Sequence, residues 1–150
     1  TPGKDYTVII DYSHTPDSLE NILRAVRGFC TGRIIAVFGC GGDRDPFKRP
    51  VMGKIAAELS DLAIVTSDNP RTEDPYKILR QILAGMQDTE TPYEVIESRV
   101  SAIGRAMELA QKDDVIVLCG KGHETYQEIG HEKHHLDERE VVASYLEANA

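Results

Sequence analysis

The sequence predicts an α/β fold, a mostly parallel sheet with helices on both faces. Three observations predict it. Short continuous apolar runs, Ile34-Ile35-Ala36-Val37-Phe38, Leu62-Ala63-Ile64-Val65 and Val115-Ile116-Val117-Leu118, read as strands buried on both sides. Segments with apolar residues at helical spacing lie between the runs. Each run is followed by a polar, mostly Gly-rich loop, and in open α/β sheets ligands sit outside the carboxyl ends of the strands.

The elements follow in order. Residues 6–11 read as the first strand. Thr15 can cap the next helix, with Pro16 at its first position and Leu19, Ile22, Leu23 and Val26 on one face. After the strand at 34–38, Pro50 opens a second helix with Met52, Ile55, Ala56 and Leu59 inward. The third strand spans 62–66. A helix over 75–86 turns Ile78, Ile82 and Leu83 inward. A short fourth strand covers 93–96. The helix over 98–110 sets Val100, Ile103 and Met107 on one stripe, and the fifth strand covers 115–118. The tail differs. Residues 126–129 and 133–136 resemble a hairpin turning at Gly130-His131, and Asp137 with Glu140 has the spacing of a capping box for a last helix.

At 150 residues the chain is long enough for one domain with a real core. A net charge of −8 disfavours nucleic acid as a partner. No apolar stretch reaches membrane-spanning length. Cys30, Cys40 and Cys119 are scattered, with no CxxC, which fits reduced thiols in a cytoplasmic protein. Thr1-Pro2-Gly3-Lys4 is loop-like and lacks an initiator Met, which fits an excised domain.

The candidate site residues lie at strand ends. Gly39-Cys40-Gly41-Gly42 lets backbone amides approach a ligand, but it has neither Walker A nor dinucleotide spacing. Gly120-Lys121-Gly122 also lacks the Walker pattern. The bland reading of each cluster is a tight strand-to-helix turn. Arg44 and Arg71 can each grip a carboxylate with two parallel hydrogen bonds. Their bland reading is solvated surface arginines, or partners of Asp43, Asp45 and Asp68. Pro70 biases Asn69 to an extended backbone and would hold Arg71 forward. Asp11 could accept from a ribose diol, and His14 could contact a base or phosphate. Taken alone, that segment is a helix-entry turn. His131, His134 and His135 suggest a metal, yet they fall on an exposed hairpin with no Cys nearby, and no metal site is expected.

The strings Asp11-Tyr12-Ser13-His14-Thr15-Pro16-Asp17, Gly39-Cys40-Gly41-Gly42-Asp43-Arg44-Asp45, Lys48-Arg49-Pro50, Asp68-Asn69-Pro70-Arg71 and Gly120-Lys121-Gly122-His123-Glu124 occur in this order in the Mur ligase family. Over nearly its whole length the chain resembles the C-terminal one of the three domains of such ligases. Its Asp68-Asn69-Pro70-Arg71 tetrad is similar to the form associated with meso-diaminopimelate rather than L-lysine. The resemblance implies a Rossmann-like domain with a six-stranded sheet, five strands parallel and one antiparallel. It implies ATP-dependent amide formation in peptidoglycan precursor synthesis. The acyl phosphate would form on the D-glutamate side chain of UDP-MurNAc-L-Ala-D-Glu, and magnesium would be required. It assigns meso-diaminopimelate to Arg44, Asn69, Arg71, Gly120 and Glu124, with Asp68 and Pro70 completing the loop. It brings Asp11 and His14 near ATP when the domains close. The phosphate loop, magnesium ligands, carbamylated lysine and UDP-sugar pocket fall to the other two domains. The expectation is therefore a monomeric amino-acid-binding domain, inactive alone, with no catalytic residue of its own. Two alternatives stay open: another Mur or folylpolyglutamate-type ligase domain, and a free-standing amino-acid-binding module.

Overall fold

The computed structural model describes residues 6–42, 46–87, 89–121, 124, 126–130 and 132–148. The elements run β1 (Thr7–Asp11), α1 (Pro16–Arg27), β2 (Ile34–Phe38), α2 (Lys48–Leu59), β3 (Leu62–Val65), α3 (Pro75–Ala84), β4 (Tyr93–Val95), α4 (Arg99–Leu109), β5 (Val115–Cys119), β6 (Tyr126–Ile129), β7 (Glu132–His135) and α5 (Glu138–Ala148). The first five strands form one sheet in the order β1-β5-β2-β3-β4, and every pairing is parallel.

Strand side chains alternate between the two faces, so each continuous apolar run feeds two cores at once. Ile34, Ala36, Phe38, Ala63, Val65, Val115 and Val117 enter one core with α1, α2 and α3. Ile35, Val37, Leu62, Ile64, Ile116 and Leu118 enter the other, with α4 and partly buried residues of α5. This is why β2, β3 and β5 are buried at every position.

The helix ends follow local chemistry. Thr15 accepts from the Ser18 amide, Ser18 returns the bond to the Thr15 amide, and Pro16 occupies the first turn. Asp74 caps α3 through the Tyr76 amide.

Three expectations change. The antiparallel strand does not make a sixth member of the sheet: β6 and β7 pair only with each other, as a separate antiparallel ribbon. Its second strand, Glu132-Lys133-His134-His135, is exposed throughout and has no apolar face to lay on a core. Val100 is 48% exposed, and the buried stripe of α4 is Arg99, Ala102, Ile103, Ala106 and Met107. Asp137 does accept from a first-turn amide, that of Arg139, but Glu140 pairs with His135 rather than closing a capping box.

Candidate functional site

The strand order places the loop after β5 between the end of β1 and the loop after β2, with the loop after β3 next in line. These loops enclose a cleft of about 160 Å³. Of the site residues read from the sequence, His14, Asp68, Asn69, Arg71, Gly120 and Glu124 line it. Asp11 and Pro70 stand beside it without lining it. Arg44 lies outside the described residues, as do Asp43, Asp45, Gly122, His123 and His131.

The glycines after β2 serve contact between backbones. A Cβ on Gly39 would fall 2.2 Å from the Thr66 carbonyl oxygen, and one on Gly42 would fall 1.7 Å from that of Pro70. The Gly42 amide donates to the Asn69 carbonyl at 2.6 Å, and Arg71 Nη1 donates to the Gly42 carbonyl at 2.9 Å. The two loops therefore touch with no side chain between their backbones. Arg49, fully buried in α2, braces the same loop from behind. Its Nη2 donates to the Gly41 carbonyl at 2.9 Å, while Glu73 takes both terminal nitrogens at 2.8 and 3.0 Å.

Arg71 has φ of 52°, a left-handed backbone that a non-glycine residue adopts at some cost. The hairpin holds it there. The Arg71 amide donates to the Glu128 carbonyl at 3.0 Å, and the Gly130 amide donates to the Arg71 carbonyl at 2.5 Å. Arg71 and Ile129 form an isolated parallel bridge. The Arg71 guanidinium also lies 3.6 Å from Glu128 Oε2. Gln127 Nε2 donates to the Asp68 carbonyl at 2.6 Å.

The loop after β5 begins at Gly120, whose φ of 118° requires glycine. Lys121 follows, fully buried. Its ammonium donates to Asn69 Oδ1 at 2.9 Å and to the Tyr126 carbonyl at 3.0 Å, and lies 3.2 Å from Asp68 Oδ1 and 3.8 Å from Glu124 Oε1. Burial pushes this ammonium below the usual lysine range, against the pull of Asp68 and Glu124. Behind the loops, the buried Arg99 donates to the Ser67 carbonyl at 3.2 Å, the Cys119 carbonyl at 2.7 Å and Glu138 at 2.8 Å. The guanidinium thus ties the ends of β3 and β5 to α5, and Glu138 and Asp68 raise its pKa although burial lowers it.

At the β1 end, Asp11 Oδ2 accepts from the Ser13 amide at 2.9 Å and from the Ser13 hydroxyl. His14 is exposed and packs edge-on against Tyr12 at 4.8 Å. Cys40 also lines the cleft, but burial pushes its thiol up to about 12, so it stays protonated and is no nucleophile. On the hairpin, His134 lies 3.6 Å from Glu132 and His135 2.8 Å from Glu140. Among the described residues, no three His, Cys, Asp or Glu side chains group so as to hold a metal ion.

Lys121, Arg49, Gln127 and Glu128 take part although the sequence alone assigns them no role. Lys121 and Arg49 fall within quoted strings only as neighbours of other residues, and Gln127-Glu128 read as plain hairpin. A lysine one glycine after a fully apolar strand was the available signal for the first. Chemically, the loop after β3 offers the Arg71 guanidinium, the Asn69 amide and the Asp68 carboxylate, and the loop after β5 adds the carboxylate of Glu124. That set suits a small molecule carrying both carboxylate and ammonium groups.

Residues 1–122 match the family model described as Mur ligase, glutamate ligase domain. A UDP-N-acetylmuramoyl-L-alanyl-D-glutamate–2,6-diaminopimelate ligase of Trichormus variabilis is 64% identical over 145 residues, 97% of this chain and 29% of that protein. The protein of the same name in Clostridium tetani is 56% identical over 142 residues, 95% of this chain and 29% of its own length. A solved structure, again of a protein of that name, superposes with a TM-score of 0.94 at 40% identity, covering 99% of this chain and 31% of the other. The chain thus spans less than a third of the length of these relatives.

Proposed function

The chain belongs to the Mur ligase, glutamate ligase domain family, and on that premise we propose that it is the amino-acid-binding part of an ATP-dependent ligase adding meso-diaminopimelate to UDP-MurNAc-L-Ala-D-Glu. The observation that carries this reading is the cleft itself. Arg71 and Asn69 present donors, Asp68 and Glu124 present carboxylates, and all four line one small cavity at the strand ends. The names borne by relatives at 64% and 56% identity favour this substrate over the folylpolyglutamate alternative and over a free-standing module.

In this proposal Arg71 and Arg44 hold carboxylates of the incoming amino acid, and Glu124 holds an ammonium. Gly120 gives the ligand close access to backbone, while Asp68 and Pro70 shape the loop. ATP phosphorylates the D-glutamate carboxyl elsewhere in the full-length protein. The amine of diaminopimelate then bonds to the acyl carbon, loses a proton, and expels inorganic phosphate. The contribution of this chain is orientation: a held nucleophile attacks as if unimolecularly. Asp11 and His14 meet ATP when the parts of the full-length protein close. Magnesium is expected to bind elsewhere in the full-length protein; among the described residues of this chain no three His, Cys, Asp or Glu side chains group so as to hold a metal ion. The setting is peptidoglycan precursor synthesis in the cytoplasm.

Competition in the full-length protein tests the reading. Lysine lacks the distal carboxylate and leaves a confined guanidinium unpaired, so meso-diaminopimelate should be preferred over L-lysine by up to about 10⁴–10⁵. Equal use of the two amino acids would sink the assignment. The 150-residue chain alone should release no phosphate from ATP with magnesium and both substrates present. Turnover that tracks the protein through repurification would overturn that part.

A further inference from the structure

We propose that Lys121 is a positioning residue for amino-acid recognition, fixing which end of the Asn69 carboxamide faces the cleft and so making Asn69 a hydrogen-bond donor there. The inference rests on the diaminopimelate reading above. A carboxamide can turn over about its last bond, and its two orientations present opposite hydrogen-bonding character. An ammonium and a backbone N–H can only donate. Both aim at the same atom: Asn69 Oδ1 accepts from Lys121 Nζ at 2.9 Å and from the Glu128 amide at 2.9 Å. Turning the amide over would set its NH₂ against two donors in a buried place, leaving polar groups unpaired.

Lys121 cannot easily give way. It is fully buried, and the Tyr126 carbonyl and Asp68 hold the same nitrogen from two other sides. One ammonium therefore joins the loop after β5, the loop after β3 and the first strand of the hairpin. The end of Asn69 left over is Nδ2, which takes no partner among the described residues, and Asn69 lines the cleft. A donor at that place selects a ligand acceptor, a carboxylate oxygen, and turns away an ammonium.

Steady-state kinetics of the full-length protein test this through the KM for meso-diaminopimelate and for ATP. Asn69→Asp keeps an oxygen for Lys121 and Glu128 but replaces the cleft-facing donor by an acceptor. It should raise the diaminopimelate KM by about 100-fold or more, with ATP KM within about threefold and the melting temperature unchanged. Lys121→Met, of similar length but without donors, should raise the diaminopimelate KM about tenfold. Combined with Asn69→Ala it should do no more harm than Asn69→Ala alone, because Lys121 acts through Asn69. An unchanged diaminopimelate KM in Asn69→Asp overturns the proposal. So do multiplying effects in the double variant, or an equal rise in ATP KM in Lys121→Met, which marks a merely structural role. If Lys121→Met does not fold, Asn69→Asp alone decides. A wild type that does not use diaminopimelate overturns the functional reading and this inference with it, whereas normal wild-type turnover with a multiplying cycle overturns only the role of Lys121.

Discussion

The five-stranded sheet and the β6–β7 hairpin are held by opposite means. Strands β2, β3 and β5 are buried at every position and carry apolar side chains into two cores. The hairpin buries almost nothing and is joined to the molecule by polar bonds to residues 68–71 and Lys121. Burial of apolar surface is non-directional, whereas hydrogen bonds fix geometry. The sheet therefore determines where the cleft lies, and the hairpin determines the shape of the loop after β3 that lines it. Under the proposed function, stability and specificity come from different regions, and substitutions should separate them.

The largest effect belongs to the fully buried ion pair between α4 and α5 that braces the ends of β3 and β5. Arg99→Met strands Glu138 without its partner and should cost about 3–5 kcal/mol in urea unfolding. Adding Glu138→Leu should recover most of that loss, and a double variant no better than the single would argue against an uncompensated charge. Next, Ile64→Ala hollows the core beneath β3 and should cost about 2–5 kcal/mol of stability, while the diaminopimelate KM of protein that remains folded stays near wild type. A large rise in that KM would mean that core and cleft are not separable.

Arg71→Ala reverses the pattern. With Arg71 holding a carboxylate as proposed, losing its guanidinium should cost about 1.5–3 kcal/mol in kcat/KM for diaminopimelate. ATP KM and the melting temperature should hardly move, since Arg71 is bonded to loop and hairpin and not to either core. Equal losses on both substrates would point to a collapsed loop. The smallest effect is expected at the hairpin turn. Gly130 has φ of 64° and open space around it, so Gly130→Ala adds backbone strain of about 1 kcal/mol and no clash. Hydrogen exchange should quicken for the amides of Glu128 and Gly130 and stay unchanged in β2 and β5. Faster exchange throughout the sheet would show that the hairpin supports the whole fold.

The regions also differ in how legible they were. Continuous apolar runs announce β2, β3 and β5, because burial on both faces leaves no place for polar alternation, and polar loops after them mark the cleft. Thr15-Pro16 announces its helix through local backbone chemistry. Lys121, Arg99 and Glu138 are not legible, because a buried charge is recognised by its partner, and Asn69 and Glu138 lie 52 and 39 positions away from theirs. The same holds for the hairpin. Its strands are visible, but whether they join a sheet depends on a docking partner, the left-handed Arg71, that local propensity disfavours. Val100 fits the periodic stripe of α4 yet faces outward, since the buried face is set by Arg99 reaching the strand ends.

Gly42 carries a consequence for anyone wishing to re-engineer this cleft. Its missing side chain leaves room for the Pro70 carbonyl, and the two loops share a backbone hydrogen bond. For a protein engineer the loops after β2 and β3 are therefore a single exchangeable part. Grafting residues 68–71 from a related ligase onto a scaffold with any larger residue at this place would push the incoming loop outward and misplace the residue at position 71. A library for altered amino-acid use should hold Gly42 constant and vary both loops together, with β6 transplanted alongside them.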